Sequence, residues 1–201
     1  MRPTYKDRDR GTGASRSALR AWLADAERLD VAVYAAIADT PTPNLDRGLS
    51  RLSRAADRSK LSLAGAGALA LAGGADGRRA AMTGLASLAV TSVIVNAGLK
   101  LAARRRRPDP DAHAVPGARR VRMPVTRSFP SGHSAAAFAF ATGVGDVMPA
   151  AAIPLRALAV AVAYSRVHTG VHYPGDVIVG ALSGVTLAEL TCRGLRRGSR
   201  A

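Results

Sequence analysis

The segment AAMTGLASLAVTSVIVNAGL, residues 80–99, runs without a single charged side chain. Its length meets the roughly 20 residues that a helix needs to cross the hydrocarbon layer of a bilayer. Inside lipid, a spanning segment must satisfy every backbone N–H and C=O internally, which leaves helices and closed barrels. Shorter apolar runs accompany it at 61–75, 131–145, 150–165 and 177–190, separated by polar or charged stretches. They are rich in glycine, alanine and serine, which suits close helix packing in lipid. Five helices are therefore expected, at 61–76, 80–100, 131–146, 150–165 and 174–192, with Asp76–Arg79 as a polar turn. The fold class expected is all-α: a membrane-embedded antiparallel bundle of five to six helices. Mean hydropathy is only +0.06, because the polar N-terminal segment and the long loop dilute it. A soluble helical protein with alanine-rich buried helices is the competing reading.

The domain organisation follows from the same pattern. Residues 1–16 are polar and basic, and are expected as a disordered tail without the apolar region of a cleavable signal peptide. From Ser17, a serine cap precedes Leu19, Trp22, Leu23, Leu29, Val33 and Ile37 at helical spacing. The charges in this helix leave a membrane-spanning and an interfacial amphipathic placement of residues 19–38 equally open. Residues 17–60 thus comprise this helix and a basic juxtamembrane segment, 61–192 the core, and 193–201 a basic tail.

A formal net charge of +15 points to an anionic partner. Aromatic residues are 4% of the chain and no basic recognition helix is evident, so nucleic acid is not expected. Cys192 is the only cysteine, which excludes an intramolecular disulfide and a cysteine-cluster zinc site; a buried, inert thiol is expected.

Alternation of antiparallel helices places the loop after Lys100 and the loop SRVHTGVHYPGD, residues 165–176, at the same end of the bundle. Ser131, Gly132 and His133 open a helix there, where unpaired N–H groups and the macrodipole attract an anion. Lys100, Arg107 and Arg166 add cationic donors. His172 lies four residues before Asp176, a carboxylate placed to orient an imidazole. Two histidines with separate roles, an acid and three cations suit phosphoryl transfer.

Lys100–Pro108 (KLAARRRRP), Pro130–His133 (PSGH) and Ser165–Asp176 (SRVHTGVHYPGD) resemble, in order and internal spacing, the three-part signature of the type 2 phosphatidic acid phosphatase family, which shares its site with vanadium haloperoxidases. The resemblance covers about Lys60 to Leu190 and reaches actinobacterial members. It implies His172 as the phosphoryl-accepting nucleophile, Asp176 as its orienting partner and His133 as the general acid. Lys100, Arg107, Ser131, Gly132 and Arg166 would form the phosphate cradle. It also implies no metal or other cofactor, and a lipid phosphate as substrate: a polyprenyl phosphate or diphosphate, a polyprenyl phosphosugar such as decaprenylphosphoryl phosphoribose, or phosphatidic acid. A multi-pass protein of the cell membrane is expected, with the active face cytoplasmic by the excess of basic residues there. A vanadate-dependent haloperoxidase and a non-catalytic basic membrane protein are the alternatives.

Several residues are expected to be bystanders. Arg104 to Arg106 read as a basic loop beside lipid headgroups, so that Arg105→Ala would be nearly silent. His168 reads as structural, His113 as solvated, and Asp109 and Asp111 as surface partners of arginines. Tyr173 fits either a pocket lining or simple packing.

Overall fold

The computed structural model describes residues 5–103 and 105–199, with side chains from residue 17 onward. Seven helices carry the described chain: α1 Tyr5–Asp39, α2 Pro43–Ala55, α3 Lys60–Ala72, α4 Gly74–Ala102, α5 Gly132–Gly145, α6 Pro149–His168 and α7 Pro174–Gly198. No strand occurs among the described residues, as the all-α expectation required. Helices α4, α6 and α7 are long and apolar enough to cross a bilayer. Their outer faces keep large apolar side chains in the open, among them Met82, Val93, Ile153, Val160, Ile178 and Leu182. That pattern suits a hydrocarbon solvent.

Helix α5 is the hub, packed against α4, α6 and α7. Its sequence is built for this, with buried Ala135, Ala136, Ala139, Ala141 and Gly143 leaving room for neighbouring backbones. The α5–α7 crossing is tight. A Cβ added at Gly184 would stand 2.3 Å from the carbonyl oxygen of Ala135, a distance no side chain can occupy. At the far end, Phe140 and Val144 pack with Ala66, Ala80 and Ala81. At the near end, Tyr34, Ala38, Val115, Ala163, Val167 and Val177 form a second cluster.

Several boundaries differ from expectation. Helix α1 begins at Tyr5, inside the segment expected as a disordered tail; residues 1–4 lie outside the described residues. The turn before α4 falls at Gly73–Gly74, not at Asp76–Arg79. Gly74 takes the left-handed conformation (φ +62°), open to a residue without a Cβ, and the four polar residues become the first turns of α4. Helix α7 runs on through Gly198 and absorbs most of the basic stretch expected as a tail; residues 200 and 201 lie outside the described residues. Near its end α4 loosens into a π-helical turn, Ile94–Leu99, directly before Lys100. Cys192 is buried against Ser87, as expected.

Candidate active site

The end of α4, the start of α5, the end of α6 and the start of α7 meet at one end of the bundle. Ser131 caps α5: its Oγ accepts from the Ser134 N–H at 3.4 Å and from the Ser134 hydroxyl at 3.0 Å. Its own N–H donates to the carbonyl oxygen of Asp176 at 2.9 Å, tying the PSGH turn to the first turn of α7. Gly132 brings the helix start close to Lys100; a Cβ there would lie 3.2 Å from the lysine Nζ. The buried lysine therefore stands at the open N-terminus of α5, beside N–H groups that have no intrahelical acceptor.

His172 sits in the short loop between α6 and α7 and is fully buried. Its Nδ1 lies 3.3 Å from Asp176 Oδ2 and its Nε2 lies 3.0 Å from Arg107 Nη1. A carboxylate only accepts and a guanidinium only donates, which fixes the tautomer: Nδ1 carries the proton and Nε2 the unshared pair. Burial pushes the His172 imidazole down to about 3; the Asp176 hydrogen bond opposes this, while the charges of Arg107 and Arg166 add to it. The ring is thus neutral at physiological pH, and its Nε2 pair accepts from Arg107.

Asp176 is anchored on both oxygens. Oδ2 also accepts from the Ser128 hydroxyl and from the Tyr173 N–H at 3.0 Å. Oδ1 accepts from Arg105 Nη1 at 3.0 Å. Arg105 is held in turn by Asp30 Oδ2 at 2.6 Å and lies 4.2 Å above the Tyr173 ring, and Asp30 Oδ1 accepts from the Gly175 N–H. This corrects the expectation of a loop arginine beside headgroups: Arg105 buttresses the carboxylate that orients His172. Arg104 lies outside the described residues. Tyr173 serves as packing for Arg105 and Tyr34, which settles the choice left open for it.

Arg166 is only 1% exposed. Its Nη1 donates to Ser53 Oγ at 2.7 Å and to the Ser53 carbonyl at 3.2 Å, while Nε and Nη2 have no partner among the described residues. Unmade bonds of this kind cost about 1–3 kcal/mol each, more for a charged donor. The Arg166 carbonyl accepts from the His172 N–H at 3.1 Å, so the open guanidinium and the His172 imidazole share one turn of chain. His133, at the start of α5, places Nε2 3.0 Å from Asp57 Oδ1, and that oxygen lies 3.6 Å from Arg166 Nη1.

A cavity of about 260 Å³ leads away from this end. Its lining is polar or cationic at Lys100, His133, Thr126, Ser62, Ser92 and Asn96, and apolar at Phe140, Leu155 and Leu158. Thr126 also holds Arg107, through its carbonyl at 2.8 Å and its hydroxyl at 3.1 Å.

Lys100, Arg107, Gly132, His133, Arg166, His172 and Asp176 thus all lie at this end, and Ser131 contributes as the cap of α5. Sequence spacing gave no sign of Ser53, Asp57, Ser128 or Asp30, which reach the site from other segments. The bystanders divide. His168 is structural as expected, 3.0 Å from Asp46 Oδ1. Asp111 pairs with Arg120. His113 is not simply solvated; it packs edge-on against Tyr34 with ring centres 5.0 Å apart.

Known proteins show the same architecture. The model of the PAP2 superfamily matches residues 80–198. A decaprenylphosphoryl-5-phosphoribose phosphatase of Mycobacterium tuberculosis is 38% identical over 96 residues, which is 46% of this chain; the match spans about half of that relative, 49% of its length. The protein of the same name in Mycolicibacterium smegmatis is 37% identical over 156 residues, 75% of this chain and 78% of that one. Among solved structures, Aquifex aeolicus LpxE superposes with a TM-score of 0.65 at 24% identity, covering 82% of this chain and 95% of its own. A transmembrane PAP2-type phosphatidylglycerolphosphate phosphatase from Bacillus subtilis gives 0.63 at 23% identity, covering 87% of each chain. The fold is shared with these membrane proteins, and the family match runs from α4 through α7, across the helices that assemble the site. This chain is a membrane protein and belongs to the PAP2 superfamily.

Proposed function

We propose that this chain is a lipid phosphatase that hydrolyses a phosphate ester through a phosphohistidine formed on His172, without a metal. The observation that carries this most directly is Arg166: a buried guanidinium with two nitrogens, Nε and Nη2, unpaired among the described residues, on the same turn as a neutral, carboxylate-oriented imidazole. A tetrahedral phosphate oxyanion is the ligand that such a fork fits. Lys100, Arg107 and the first N–H groups of α5 supply further positive potential around it. His172 Nε2 attacks phosphorus while His133 protonates the departing oxygen; water then displaces phosphate from the imidazole.

The substrate we favour is a polyprenyl phosphosugar. Two mycobacterial relatives carry names of that class. The cavity also joins cationic, hydroxyl, amide and apolar groups in one lining, which suits a ligand that carries a phosphate, a sugar and a chain. We place the site on the cytoplasmic side of the cell membrane, because Arg47, Arg51, Arg54 and Lys60 crowd the same end.

The test is phosphate release by the purified protein in detergent, across polyprenyl phosphosugars, polyprenyl diphosphates and phosphatidic acid, with His172→Ala as the blank. Release is expected with and without EDTA, and fastest on the phosphosugar. A native protein no better than the blank on every lipid would overturn the proposal. Within the same assay, Arg105→Ala is expected to lower kcat about 10–100-fold with little change in KM, because Asp176 keeps Ser128 and Tyr173 but loses its partner on Oδ1. An unchanged kcat would return Arg105 to the role of a loop charge.

A further inference from the structure

We propose that Asp57 is the positioning residue of the acid: its carboxylate accepts the Nε2–H of His133, so that Nδ1 is the nitrogen that hands a proton to the leaving oxygen. The inference rests on the lipid phosphatase reading and deepens it. His133 Nε2 lies 3.0 Å from Asp57 Oδ1, and His133 Nδ1 makes no hydrogen bond among the described residues. The arrangement mirrors the first pair. In His172 the carboxylate holds Nδ1 and turns Nε2 forward; in His133 the carboxylate holds Nε2 and leaves Nδ1 open. Each imidazole is thus held by its own carboxylate, one through Nδ1 and the other through Nε2.

The backbone around Asp57 is unusual. The turn Asp57–Ser59 joins α2 to α3, and the two residues after the aspartate, Arg58 and Ser59, both adopt left-handed conformations (φ 56° and 58°) although neither is glycine. Residues with a Cβ rarely take that geometry, and it persists where surrounding contacts over-determine it. Here it sets the carboxylate between His133 and Arg166. Asp57 approaches Arg166 on Nη1, at 3.6 Å, so the unpaired Nε and Nη2 stay available to phosphate. Burial, with the charges of Arg166 and Lys100, pushes the His133 imidazole down to about 4, and Asp57 is the counter-charge that opposes this.

The step balances as follows. His172 Nε2 forms the N–P bond as the P–O bond to the lipid breaks, and the electron pair of that bond goes to the leaving oxygen. That oxygen takes the proton from His133 Nδ1, which leaves His133 neutral with Nε2–H still on Asp57. In the second half His133 Nδ1 takes a proton from water as its oxygen attacks phosphorus; the N–P pair returns to His172 and phosphate departs.

A general acid matters most when the leaving group is a poor one. The experiment compares two substrates of equal tail length, an alkyl phosphate and a nitrophenyl phosphate bearing the same chain, with the full-length protein in detergent. Asp57→Asn is expected to lower kcat on the alkyl phosphate about 100-fold and on the nitrophenyl phosphate less than about 3-fold, with KM nearly constant. His133→Ala should show the same asymmetry, and Asp57→Glu should recover part of the loss. His172→Ala should be inactive on both. Equal losses on the two substrates would overturn the proposal in favour of a structural role. Undiminished turnover of the alkyl phosphate, with tighter inhibition by inorganic phosphate, would overturn it in favour of a carboxylate that merely shields the anion site. Native protein indistinguishable from His172→Ala on both substrates would remove the phosphatase reading itself.

Discussion

Replacing His172 with glutamine is expected to lower phosphate release by about 10⁴-fold or more while leaving the binding of vanadate or inorganic phosphate within a few-fold of native. The amide keeps the approximate shape of the side chain and can still bond Asp176, but it presents no basic nitrogen to phosphorus. The anion contacts from Lys100, Arg166 and the start of α5 do not depend on the imidazole. Rapid quench of the native protein with labelled substrate, followed by acid-labile phosphate analysis, should reveal a phosphoramidate that the variant does not form. Substantial turnover by His172→Gln would show that water attacks phosphorus directly and would remove the histidine from the covalent role.

The second large effect concerns Arg166, and its sign on stability separates it from an ordinary buried arginine. Arg166→Met is expected to cost about 10²–10³-fold in kcat/KM, the scale of a lost oxyanion donor. Its effect on the melting temperature should be nil or upward, because two guanidinium nitrogens, Nε and Nη2, stay buried without partners among the described residues. Arg119 is the control. It is equally buried, but Nε donates to Asp46, Nη1 to the carbonyls of Ile37 and Ala38, and Nη2 to Thr40 and Thr42, so every N–H is used to lock the α1–α2 connection. Arg119→Met should lower stability by about 3–5 kcal/mol, with Asp46 left uncompensated. Thermal melts in detergent, paired with kinetics, would read both outcomes. A destabilised Arg166→Met protein would mean that its guanidinium serves the fold rather than the ligand.

Much of the site was legible in the sequence because its parts are local. The spacing from Lys100 to Arg107, the helix start at Ser131–His133 and the four-residue step from His172 to Asp176 are fixed by one or two turns of chain. The helices at 131–146 and 174–192 were legible for the same reason, being bounded by residues that begin or break helices. The start of α4 was misplaced because charge was read as a turn, whereas polar residues are equally at home in the first turns of a helix that enters a membrane. The two glycines just ahead of them carried the real break. Arg105 could not be told from its neighbours in a run of four arginines: its partners, Asp30 and Asp176, come from α1 and α7. Asp57 and Ser53 were equally invisible, since only the packing of α2 against α6 brings them to Arg166.

The widened turn at Ile94–Leu99 has one more consequence. A helix advances about 100° per residue, so a π turn, which accommodates one residue beyond the regular count, rotates everything after it by that amount. With the same residues wound as a regular α-helix, the ammonium of Lys100 would turn about 100° away from the cavity that it lines. The insertion therefore acts as a rotary offset: it lets a lipid-facing cylinder end with its last charge turned inward.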